Sequence, residues 1–436
     1  MTAPLPLAEH PLRQRLNDEV HARPPMVLGA EEWISYLAVV HEGTGREAEE
    51  AHLHRLCNLL GARLCPVIHG DHWVMEAGEL RLKWERHNEF SGYTFFLARR
   101  PEHGPDTTAL AALPQDWLGA IPGSLMVATH LEFRPATEGA LDAALAALSQ
   151  ESDTVVAAAV ADGAAWVLSD FRLKEGFSRY LVLDRHLQHR QAGRTVQRLL
   201  EIETYRVMAL LAFPMAKEVG RFLAQAEEEL AQLMDGMGDT TSTEEERQLL
   251  NRLTRLAAEV ERSVSRSAYR FGAAEAYYAL VQQRIHDLRE QRVDGYPPIK
   301  EFMERRLAPA INTCLSIARR QNDLSTRIAR KSALLRTRVD IELEKQNQLL
   351  LAQMNRRSRL QLRLQETVEG LSVVAITYYA SQLVTYLAKG LKAATGNGLE
   401  PEIVTAVAIP VIAATVFWGM ARMRKALAAS EDHGEH

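Results

Sequence analysis

The sequence predicts an α+β domain with a largely antiparallel sheet, followed by a long α-helical stalk and two C-terminal transmembrane helices. Three observations carry this prediction. Short runs of alternating apolar residues, divided by glycine or polar pairs, fill the chain up to about residue 192. From Gly193 onward the pattern is helical throughout. Near the end lie two charge-free apolar runs.

Strands are expected over residues 33–41, 72–76, 79–87, 92–97, 125–133, 154–160, 165–170 and 179–183. In Leu80-Arg81-Leu82-Lys83-Trp84-Glu85 the apolar residues alternate, as a half-buried strand requires. The pairs Ala77-Gly78, Ser91-Gly92 and Asp162-Gly163 suit hairpin turns between neighbouring strands. Helices are expected over residues 46–61 and 138–149, and then from Arg194 to Met234. Ser242 with Glu245 forms a capping-box pattern that opens the next helix, which runs to about Arg292. Asp294-Gly295-Tyr296-Pro297-Pro298 makes a tight turn, and Pro298 suits the start of the stalk. The expected divisions are residues 1–192 for the α/β domain, 193–298 for a helical hairpin region and 299–369 for the stalk. Residues 370–388 form the first span, 389–402 an outer loop, 403–421 the second span and 422–436 a cytoplasmic tail.

In the stalk, Ile317, Ile328, Val339 and Leu350 recur every eleven residues, with Leu324 and Leu335 as a second row. This repeat gives a nearly straight seam. It serves packing on the chain's own preceding helices, self-association between copies, or both. The two runs between Glu369 and Lys389 and between Glu402 and Arg422 each have the length needed to cross about 30 Å of hydrocarbon. Arg356, Arg357, Arg359 and Arg363 precede the first, and Arg422, Arg424 and Lys425 follow the second. The positive-inside rule places both termini in the cytoplasm. Tyr378, Gln382, Thr385 and Lys389 share one helix face, with Ser381 beside it. Such a face is either hydrogen-bonding glue between helices or the lining of a pore. Pro410 marks a kink or a packing seam in the second span.

The net charge of −5 gives no reason to expect nucleic acid as a partner. Three cysteines suggest a reducing compartment and no disulfide scaffold, and the N-terminus lacks the features of a secretory signal. The string around Asp18, Glu19, His21 and Arg23 is dense in titratable groups. It reads as an acid/base or ligand site or, better, as a structural latch in which Arg23 pairs with a carboxylate and Pro24-Pro25 ends a short helix. His52, His54, Cys57, Cys65, His69 and His72 lack the tight repeated spacing of a metal site, so no metal is assigned, and Cys57 is expected on the apolar face of its helix. Residues 84–90 alternate charge, as a solvated or ion-paired sheet face does. In the string from Gly193 to Arg206, the pairs Arg198–Glu201 and Glu203–Arg206 have ion-pair spacing, and salt bridges between elements are the expected role. No phosphate loop, HExxH, GxSxG or GxGxxG motif occurs, so neither a cofactor nor enzymatic activity is expected.

The strings LNDEVHARPP, KWERHNEFSGYTF, GRTVQRLLEIETYR and LQLRLQETVEGLSVVAITYYA resemble a bacterial family of uncharacterised, predicted membrane-anchored proteins. That resemblance covers nearly the whole chain and implies a bacterial inner (cytoplasmic) membrane location. The layout is also similar to the CorA-type divalent-cation transporters, pentamers whose first span lines the pore. The similarity implies a homo-oligomer in the lipid bilayer. The Gly-Met-Asn hallmark of that group is absent, and Lys389-Gly390-Leu391 stands in its place. A ring of Lys389 at an outer pore mouth would repel cations. Glu400 and Glu402 make the outer loop acidic. The expected function is therefore an oligomeric ion transporter or channel. The alternative is a membrane-anchored interaction or sensor protein whose α/β domain carries the activity.

Overall fold

Alternating side chains build one nine-stranded sheet in the computed structural model. The structure describes residues 7, 9–14, 16–17, 24–41, 43–62, 70–100, 103–104, 107–239, 242–395 and 400–431. The strands are β1 (Glu32–Val40), β2 (His72–Ala77), β3 (Leu80–Arg86), β4 (Phe90–Ala98), β5 (Ser124–Pro135), β6 (Val156–Val160), β7 (Ala165–Ser169), β8 (Ser178–Asp184) and β9 (Gln291–Arg292). Their order is β2-β3-β4-β1-β5-β8-β7-β6-β9. Each neighbouring pair is antiparallel except β5 and β8, which run parallel. Eight strands match the expected ones to within a few residues; β9 was not anticipated.

The helices are α1 (Arg46–Leu59), α2 (Gln115–Leu118), α3 (Ala140–Glu151), α4 (His189–Leu210), α5 (Ala212–Asp239), α6 (Thr243–Leu288), α7 (Ile299–Arg306), α8 (Ala308–Thr395) and α9 (Pro401–Glu431). A short 3-10 turn covers Ala109–Ala112. The expected helix from Arg194 is two helices, broken at Leu211. Pro214 causes the break, because its ring meets the carbonyl four residues back and it has no N–H to donate. Pro309 breaks the stalk at Leu307 in the same way. Ser242 and Glu245 cap α6 reciprocally: Glu245 N–H donates to Ser242 Oγ at 3.3 Å and Ser242 N–H to Glu245 Oε2 at 3.4 Å.

Chain contacts cluster into two units, residues 1–241 with 248–332 and residues 242–247 with 333–436. In the first unit the sheet buries both faces. One face carries Ile34, Tyr36, Phe96, Leu131, Phe133 and Val182 against Val196, Leu199 and Leu200 of α4 and against Val281 and Ile285 of α6. On the other face, Trp33, Leu82, Trp84 and Phe95 pack under Leu53 and Leu56 of α1 and Trp117 of α2. Further along it, Leu168 and Leu183 pack under Leu145 of α3. Gly193 permits a close approach: a Cβ there would lie 1.7 Å from the carbonyl oxygen of Met26. Residues 24–28 therefore lie directly on α4, with Leu28 O 2.8 Å from His189 Nδ1.

Rows of the stalk divide by burial. Ile317, Leu324 and Ile328 are buried in the first unit, and Leu335 and Val339 in the second. Every residue from 344 to 368 is exposed. Among the described residues two helices, α8 and α9, are long and apolar enough to cross a membrane. Their most apolar stretches have mean hydropathy 1.3 and 2.1, and are 6% and 0% buried. A core helix of a soluble protein would be mostly covered; these are not.

Candidate functional site

The polar face of the first apolar helix divides in two when the helix meets α9. Ser381 is buried, and its hydroxyl donates to Tyr378 O at 2.8 Å. Thr385 Oγ1 lies 2.8 Å from Thr405 Oγ1 on α9, so hydroxyls join the two helices. Tyr378, Gln382 and Lys389 stay exposed on the outside of this hairpin. Glu400 is not a free carboxylate, since Lys392 Nζ donates to its Oε1 at 3.0 Å. Glu402 lies exposed in the first turn of α9, and Arg422 stacks over Trp418 at 5.4 Å. Pro410 lies within α9, which continues through it. Asp18, Glu19, His21 and Arg23 lie outside the described residues.

Two of the strings singled out in the sequence converge in the first unit. Strand β3 alternates, so Lys83 and Glu85 face α4 while Trp84 and Arg86 face α1. On the α4 side they line a cavity of about 40 Å³ with Tyr36, Gln197, Glu201 and Thr204. That is room for two or three waters, too little for a metabolite. Lys83 Nζ lies 2.9 Å from Glu85 Oε1, and Lys83 is 3% exposed. The strand is ion-paired as expected, with Lys83 buried and Glu85 half-buried. Thr204 Oγ1 lies 3.0 Å from the Tyr36 hydroxyl, and burial raises the Tyr36 pKa far above the ordinary tyrosine value. Glu201 does not pair with Arg198. It accepts from Gln197 Nε2 at 2.8 Å and from Arg284 of α6, while Arg198 lies 3.9 Å from Asp287. Glu203 accepts from Arg206 Nε at 2.7 Å and from the Tyr180 hydroxyl at 2.9 Å.

On the α1 side, buried Glu49 collects four groups. Trp84 Nε1 donates at 3.1 Å and Ser91 Oγ at 2.6 Å, Arg86 donates as well, and His41 Nε2 lies at 3.7 Å. Cys57 is buried on the apolar face of α1 as expected. His52 stacks on Trp117 at 4.4 Å, and burial together with Arg55 pushes its pKa down to about 4. Among the described residues no three His, Cys, Asp or Glu side chains are placed to hold a metal.

Between α3 and Thr107–Thr108, an open groove of about 900 Å³ crosses the parallel β5–β8 pair. Its floor holds His130, stacked on Phe177 at 4.0 Å and bonded through Nδ1 to Ser35 Oγ at 2.9 Å. Burial, then Arg179, push the His130 pKa down to about 4. Ser35 is wholly buried, which denies a substrate access to its hydroxyl. Around the groove Lys174 pairs with Glu151 at 2.7 Å and Arg179 with Glu175 at 3.3 Å. No local pattern signals this groove, because its parts come from five separate elements.

No curated protein matches the chain. A model of proteins of unknown function, DUF3422, matches residues 8–427. The chain therefore belongs to the DUF3422 family.

Proposed function

We propose that this protein is an oligomeric ion-conducting protein of the cytoplasmic membrane, with a CorA-like layout and the first span facing the conduction path. The observation that carries this reading is the outward placement of Tyr378, Gln382 and Lys389. Hydroxyls of Ser381 and Thr385 are used within the hairpin, but these three are not covered by it. A polar side chain facing hydrocarbon is costly, so such groups turn toward other copies or toward water. Two spans cannot enclose a pore, so several copies are required. The basic clusters before the first span and after the second support an orientation with both termini in the cytoplasm. Native mass spectrometry should give more than two copies per particle, and proteoliposomes should pass ions. Gln382→Leu should reduce the flux by about tenfold. A monomer or dimer in mild detergent, or vesicles that stay tight, would end this reading.

A second reading, a non-transporting sensor, is favoured by one observation, the groove of about 900 Å³ over β5 and β8. That volume is in the range of small-molecule sites. A ligand that raises the melting temperature of the full-length protein supports it. Burial of Ser35 and the fully paired Glu49 and Glu203 favour a non-enzymatic role for the sheet domain in either case.

A further inference from the structure

The exposed half of α8 carries a seven-residue repeat that runs without a break into the first apolar helix. One row is Asn347, Met354, Gln361, Val368, Ala375, Gln382 and Lys389. The other is Leu343, Leu350, Arg357, Leu364, Leu371, Tyr378 and Thr385. Together they occupy the core positions of heptads. Met354, Leu364, Leu371 and Tyr378 are 58–74% exposed, so this chain does not cover the seam itself. Charge is segregated around it. Between residues 346 and 388 the positions flanking the two rows hold no charged residue, while Arg356, Arg359, Arg363, Glu366 and Glu369 all fall on the opposite side. In two-stranded coils the flanking positions are commonly charged and sit at the water edge. A seam this wide and uncharged fits a bundle of more than two helices. The second span packs beside the seam at Ser381 and meets it only at Thr385, the last member of the second row.

We infer that copies of this chain associate along residues 343–389, parallel and in register, and that the path so enclosed selects small inorganic anions. This rests on the conduction reading above and names its substrate class. Copies inserted in one bilayer share direction and depth, so the register follows from the membrane itself. Only two charged residues then lie on the core rows, Arg357 and Lys389, and both are cationic. They stand 32 residues apart, or about 48 Å along the helix, on either side of the span 370–388. Rings of positive charge flanking the span attract anions and exclude cations. No carboxylate shares these rows to offset them: Asp340 has the same phase one heptad earlier, where the helix still buries Val339 within its own chain.

The full chain in planar bilayers under a KCl gradient tests this. The reversal potential should take the sign of the chloride equilibrium. Combining Arg357→Gln with Lys389→Gln should lower the chloride-to-potassium permeability ratio by about tenfold, with the particle mass by native mass spectrometry unchanged. Val368→Cys should cross-link copies upon oxidation, and Arg363→Cys on the opposite side should not. Potassium selectivity of the wild type overturns the anion assignment and leaves conduction standing. Cross-linking at Arg363→Cys alone overturns the seam. Absence of any current removes the conduction reading and this inference with it.

Discussion

The sheet unit and the stalk treat their polar residues in opposite ways. In the sheet unit, polar side chains are taken indoors and given partners: Lys83 has Glu85, Glu49 has Trp84, Ser91 and Arg86, and Glu203 has Tyr180 and Arg206. Along residues 344–368 and on the outer face of the apolar hairpin, Arg357, Gln361, Gln382 and Lys389 stay at the surface beside leucines that are equally uncovered. The described core of the first unit is covered by its own chain. The second leaves most of its apolar side chains uncovered.

The largest expected effect is in the covered region. Glu49→Ala leaves Arg86 and the Trp84 N–H without their buried acceptor, which should cost about 3 to 5 kcal/mol. Urea unfolding followed by tryptophan fluorescence reads this; a loss below about 1 kcal/mol would put Glu49 in the class of surface pairs instead. A smaller effect follows from His130. Its folded pKa lies near 4 against 6.5 for the free side chain. Between those values the unfolded chain binds more protons, so the stabilisation is complete above pH 6.5 and is lost as pH falls toward 4. The melting temperature should drop across that window. His130→Gln should flatten the slope, leaving the parts due to His52 and His41, which burial also lowers; an unchanged slope would mean that His130 is solvated. The smallest effect is expected at Leu364. Leu364→Ala removes a side chain 66% exposed in the single chain, so the unfolding midpoint should move by less than about 0.5 kcal/mol. Native mass spectrometry of the same variant should show the oligomer dissociating. A loss of stability without a loss of association would erase the contrast between the two regions.

Much of the sheet was legible because its signal is local. Strands β1 to β8 have alternating side chains and turn residues at their ends, whereas β9 has two residues, too few to show a period. The helix breaks at Leu211 and Leu307 were readable from Pro214 and Pro309, once each proline is set against the carbonyl four residues back. The polar face from Tyr378 to Lys389 was readable from spacing, but spacing cannot tell which members a second helix will take. Ser381 and Thr385 went to α9 because small hydroxyl residues allow close approach. The eleven-residue repeat of the stalk describes rows that the chain buries itself, through Ile317, Ile328 and Val339. Beyond Val339 the operative period becomes seven, and a single period laid over the whole helix hides the change. The cavity beside Lys83 was not legible at all, since β3 and α4 meet only in three dimensions.

The contact between Met26 and Gly193 bears on the timing of biosynthesis. Residues 24–28 leave the ribosome before the helix they lie on exists, because α4 begins at His189. At ~10 residues per second this early segment waits about 16 s for its docking surface. Throughout that interval Leu28, one of the most deeply buried side chains of the finished domain, has no α4 to cover it. A nascent chain stalled shortly before His189 would therefore present an uncovered leucine that chaperones or proteases could engage, and one released after Leu210 would not.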